Sequence, residues 1–154
     1  MQRLIATCVA TAALGGLAGP TAAAAATPEP FKIIEYVNFT DGGLDTFTTS
    51  GGSLCDSGTF EDFIVTFGGN PERAGTLNVL VRTVYTCADG SGTFYAQKNI
   101  FVTFGPGNSR TNTGPFTFHG GTGDYTKLTG HGVDVGTASG DQGIGTITGV
   151  LTLR

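Results

Sequence analysis

Carboxylates are the residues in this chain whose spacing most invites chemistry. Asp56, Glu61 and Asp62 fall close together, and Glu35 stands alone among apolar neighbours in Phe31–Phe39. A pair of carboxylates can do general acid–base work when its surroundings keep one of them protonated. Adjacent residues of a strand point to opposite faces, so Glu61 and Asp62 cannot both meet one substrate. Glu35 with Glu61 is therefore the expected catalytic pair, since desolvation in an apolar interior favours the neutral form of such groups. The competing reading is that one or both reach water at a rim, or hydrogen-bond to Tyr85 or Tyr95.

Other chemistries find little support. The two histidines, His119 and His131, are too few for a zinc site and lack an H-x-x-x-H spacing, and no C-x-x-C is present. No metal and no cofactor are expected. No G-x-S-x-G nucleophile elbow exists, because Ser53 and Ser57 sit in Gly-Gly-Ser-Leu-Cys and Cys-Asp-Ser-Gly. The run GGTGDYTKLTGHG, Gly120–Gly132, looks at first like a phosphate cradle. Its third fingerprint position is Thr126 rather than glycine, and Lys127 is not preceded by glycine, so neither nucleotide motif is met.

The chain has 154 residues, with twelve acidic against eight basic side chains and a net charge of −4. An acidic chain with scattered bases argues against nucleic acid or an anionic membrane as partner. Residues 1–26 read as a secretory signal peptide: Arg3, an apolar run from Leu4 to Gly19, then Ala24-Ala25-Ala26 before Thr27. Residues 27–154 are expected to form one secreted, extracellular domain. Of three cysteines, Cys55 and Cys87 lie beyond the leader, and a disulfide between them is the default reading in an exported chain.

The elements that must position these residues are strands. Short alternating segments rich in Thr, Val, Ile and Phe are separated by glycine clusters, which predicts eight strands in an all-β, antiparallel barrel. They are expected near Phe31–Phe39, Leu44–Thr49, Gly58–Phe67, Thr76–Cys87, Thr93–Phe104, Pro115–His119, Gly132–Thr137 and Gly143–Leu153. A hairpin turning at Pro71 would set Val65 opposite Leu77, Phe63 opposite Val79, Glu61 opposite Val81 and Cys55 opposite Cys87. That register puts Phe63, Val65, Phe67, Leu77, Val79 and Val81 in the core. A second hairpin about Gly90 would bring Tyr85, Tyr95, Gln97 and Asn99 to the interior as ligand-binding residues. For Thr93–Phe104 the opposite face (Phe94, Ala96, Ile100, Val102, Phe104) is the more apolar. Either a bulge switches the faces there, or that face meets another subunit. In Gly120–Gly132 a tight turn, Asp124 as N-cap and one helical turn ending at Gly130 would let Tyr125 and Leu128 plug a barrel end.

That arrangement resembles the allene oxide cyclase and dirigent-like barrel group, whose motif G-G-T-G-x-[YF]-x-x-[AL]-x-G-x-G is matched by Gly120, Gly121, Thr122, Gly123, Tyr125, Leu128, Gly130 and Gly132. The resemblance implies an eight-stranded barrel, trimeric or dimeric in some members, that takes a small hydrophobic molecule in its lumen. It also implies little catalytic machinery beyond shape. The expected function is thus binding of a small apolar molecule. The alternatives are a cofactor-free cyclase or isomerase using Glu35 and Glu61, and a filled barrel acting as an interaction scaffold.

Overall fold

The computed structural model of the protein describes residues 26–69 and 75–154. All but the last residue of the expected 1–26 leader, and the turn expected at Pro71, lie outside the described residues. Eight strands follow in order: β1 (Glu29–Asn38), β2 (Asp45–Ser50), β3 (Ser57–Gly68), β4 (Thr76–Cys87), β5 (Thr93–Phe104), β6 (Ser109–Gly121), β7 (Thr129–Ser139) and β8 (Gln142–Thr152). Each pairs antiparallel with the next, and β8 returns to β1, so the sheet closes into a barrel. The pairings that start at Glu35 reach Cys87 of β4 through β2 and β3, but Leu77 of β4 through β8, β7, β6 and β5. That stagger tilts the strands against the barrel axis and widens the interior enough for large side chains.

One end of the interior is filled. Phe31, Phe47, Tyr85, Phe94, Phe116 and Phe118 are buried inside it. Tyr85 stacks on Phe94 with ring centroids 4.6 Å apart, and Phe116 meets Phe118 edge-on at 4.8 Å. Each such ring contributes about 1.5–3 kcal/mol by burial, so this end carries much of the folding free energy. Tyr125 and Leu128 close it from the glycine-rich stretch and are buried. The local form differs from expectation. A 3-10 turn, Gly123–Tyr125, replaces the α-turn, Asp124 lies within that turn rather than capping it, and Gly130 already belongs to β7. Gly123 has φ +57° and approaches the carbonyl of Ser91 so closely that no Cβ fits.

The other end is less complete. β2 has 6 residues against 12 in β3, and it pairs with β3 only from Asp45–Phe60 to Thr48–Ser57. From Glu61 to Gly68, β3 bonds to β4 alone among the described residues.

Both expected hairpin registers are corrected. β3 and β4 pair Glu61 with Val84, Phe63 with Arg82 and Ile64 with Val81, and a bulge at Val65 shifts the rest to Thr66–Leu80 and Phe67–Val79. Phe63, Val65 and Phe67 are exposed, whereas Val79 and Val81 are buried. β4 and β5 pair Tyr85 with Phe94 and Val84 with Tyr95, one residue away from the expected register. The physical reason lies in the turn. Asp89 accepts from the backbone N–H and the hydroxyl of Ser91, at 2.9 and 2.6 Å, so the hairpin turns between Asp89 and Gly90 rather than on Gly90. A shift of one residue moves every side chain to the other face.

The disulfide between Cys55 and Cys87 is present, with Cα atoms 5.9 Å apart. It does not join directly opposed residues. Cys87 pairs with Gly58, and Cys55 precedes β3 in a bend where Asp56 accepts from the N–H of Thr49.

Candidate functional site

A buried charged layer lies between the aromatic end and the incomplete end. Glu35 points inward from β1, in step with Phe31 and Ile33. Lys98 points inward from β5, in step with Phe94 and Ala96, and Asp134 from β7. All three are almost wholly removed from water, at 3, 2 and 2% exposure. Charges so placed are tolerated only when paired and hydrogen-bonded.

The pairing centres on one oxygen. Glu35 Oε1 accepts from Lys98 Nζ at 2.6 Å and from the Tyr85 hydroxyl at 2.5 Å. Lys98 Nζ also lies 3.5 Å from Asp62 Oδ1, which accepts from the Thr83 hydroxyl at 2.5 Å. The ammonium sits 5.4 Å from the Phe60 ring centroid, a cation–π distance. Gly145 of β8 completes the layer: a Cβ there would fall 3.0 Å from Glu35 Oε2 and 3.7 Å from Asp134 Oδ1. The absence of a side chain at this position leaves room for both carboxyls. Asp134 Oδ1 is buried and has no hydrogen-bond partner among the described residues.

Three carboxylates thus face one ammonium among the described residues, and the layer shifts the proton affinities of Lys98, Tyr85 and Asp134. Burial alone would lower the pKa of Lys98, but Glu35, Asp62 and Asp134 together outweigh it, and the ammonium is held more firmly than usual. Burial first, then the charge of Glu35, raises the Tyr85 phenol well above its ordinary value, so it remains a neutral donor. Asp134 is pushed up from 3.8 to about 6, chiefly by desolvation; Lys98 pulls it down, while Glu35 and Asp62 push it up. Asp134 is therefore the group in this layer suited to exchange a proton near neutral pH.

Of the residues expected at the site, Glu35 and Tyr85 come together in the lumen. The others do not. Glu61, Gln97 and Asn99 are exposed and, like half-buried Tyr95, belong to the outer face. Tyr95 and Gln97 instead line a shallow outer hollow of about 520 Å³ with Arg82, Val84 and His119. The partner for Glu35 is thus not Glu61 but its neighbour Asp62, as the corrected register requires. Sequence reasoning missed Lys98, Asp134 and Thr83. A lysine inside the apolar alternation Phe94-x-Ala96-x-Lys98-x-Ile100 is a signal that could have found the first. Asp134 between Gly132 and Gly136 is a weaker one, because flanking Val133 and Val135 suggest the opposite face, yet both are exposed.

Access is from the incomplete end. Asp62 is the open member of the layer, with a side chain 35% exposed. Beyond it, Ile64 and Phe67 pair with inward-facing Val81 and Val79, so they line the mouth, yet both are exposed. Across the mouth, Arg110 of β6 stacks on Phe39 at 3.9 Å. No family model, no curated protein and no solved structure matches this chain.

Proposed function

We propose that the protein binds a small, largely apolar molecule at the open end of its barrel, with the molecule's polar end toward Asp62. The observation that carries this reading is the exposure of Ile64 and Phe67, 66 and 68%, on the inward face above a desolvated charged layer. Large apolar side chains that line a concavity and remain wet favour a ligand that replaces the water. The aromatic end leaves no room for one, so binding is confined to the mouth and the charged layer. Export through the leader and kinship with the allene oxide cyclase and dirigent-like barrels belong to the same proposal; the Cys55–Cys87 disulfide supports the first, and the eight antiparallel strands with the Gly120–Gly132 turn support the second. A second reading, a cofactor-free isomerase or cyclase, is favoured by one observation: Asp134, poised near pH 6, has an unpartnered oxygen beside Glu35.

Native mass spectrometry of the purified protein, followed by calorimetric titration with co-purified or panel apolar molecules, tests the proposal. Ile64→Asp with Phe67→Asp should reduce affinity at least tenfold while leaving the circular dichroism spectrum unchanged, because neither side chain belongs to the buried core. A wild-type protein that binds none of the panel and carries nothing sinks the proposal. Turnover that is lost in Asp134→Asn with binding retained would select the enzyme reading.

A further inference from the structure

The edge of β3 that no described strand covers, Glu61–Gly68, has a use of its own. In an antiparallel sheet every second residue exchanges both its N–H and its C=O with the neighbour, so Glu61–Gly68 presents about four donors and four acceptors to water. Soluble proteins protect such edges with charges, proline or short length. Here the sole charges are Glu61 and Asp62 at the start, and the remaining run, Phe-Ile-Val-Thr-Phe-Gly, has neither charge nor proline. Phe63, Ile64, Val65 and Phe67 are all at least half exposed along it.

We infer that this edge pairs with the same edge of a second copy of the chain, antiparallel and about a two-fold axis near Ile64–Val65. The uncharged apolar centre of the run can face itself in a second copy, and charge placement selects the direction. Antiparallel pairing sets Glu61 and Asp62 of each copy against the uncharged Phe67–Gly68 end of the other, whereas parallel pairing would oppose the acids directly. Hydrogen bonds satisfy the backbone, Ile64 of each copy lies beside Val65 of the other at the axis and Phe63 beside Thr66, an isologous contact. The pairing also completes the lumen site. Asp62 opens to water on the side where β2 stops short, and the partner strand would supply the missing wall there. The inference does not depend on what the mouth binds.

The test combines the mass in solution with a map of the contact. Light scattering after gel filtration should give a dimer, and hydrogen exchange should show protection of the Glu61–Gly68 amides that rises with protein concentration. Ile64→Cys, close to the axis, should form a disulfide between copies on mild oxidation, and Val135→Cys on the outer wall should not. Phe63→Lys with Val65→Lys places four like charges together across the axis and should abolish the dimer, with the circular dichroism spectrum unchanged. A wild-type monomer at the highest soluble concentration overturns the inference. So does a dimer that survives both lysines, which would place the contact elsewhere. Ligand binding by a protein that stays monomeric would overturn this pairing and leave the proposed function standing.

Discussion

Replacing Asp134 by Asn removes a titrating carboxyl from a desolvated site while keeping its size. In the native protein Asp134 holds its proton up to about pH 6, against an ordinary value of 3.8. A carboxyl whose folded pKa is raised stabilises the fold fully below the ordinary value and loses that contribution as pH rises through the folded one. The interval from 3.8 to about 6, at about 1.4 kcal/mol per pH unit, corresponds to about 3 kcal/mol. Asn carries no such dependence. The stability of Asp134→Asn minus that of the native protein should therefore climb by about 3 kcal/mol from well below pH 3.8 to above pH 6, then level off. Urea unfolding at a series of pH values, followed by far-ultraviolet circular dichroism, measures both proteins. A difference flat to within about 0.5 kcal/mol across the window, or one that grows toward acid, refutes the reasoning.

Two further outcomes follow from the site and the disulfide. Lys98→Met leaves Glu35, Asp62 and Asp134 facing one another without a cation and should cost about 3–5 kcal/mol in urea unfolding at neutral pH, unlike an exposed-lysine control such as Lys127→Met. Reduction of Cys55–Cys87, 32 residues apart in sequence, should lower stability by about 3–4 kcal/mol on the loop-entropy estimate, read as a fall in urea midpoint upon adding reductant.

The barrel was legible because strand existence depends on local alternation, and β4 and β5 have the expected bounds, Thr76–Cys87 and Thr93–Phe104. Which face each strand turns inward depends on single residues in turns, and there the sequence is nearly silent. The bulge at Val65 and the Asp89–Ser91 contact each move a register, and with it the whole set of inward residues. Glu35 was legible because β1 alternates cleanly, Phe31-x-Ile33-x-Glu35. Lys98 and Asp134 were not, because a barrel lumen can accept charge where a flat core would not, and because outward Val133, Val135 and Ile144 invert the usual polarity of a strand. The cysteine pairing was read correctly from the count, although the opposed geometry offered for it was not the one that forms.

The brevity of β2 also has an evolutionary consequence. Stability is concentrated in the aromatic end, where almost any substitution disturbs several rings at once. Ile64, Phe67 and Phe39 at the rim are exposed, so changes there have little effect on folding. Residues that would choose a ligand are thus separated from residues that hold the fold. Such a division lets the rim diversify by drift and selection while the barrel beneath it stays the same.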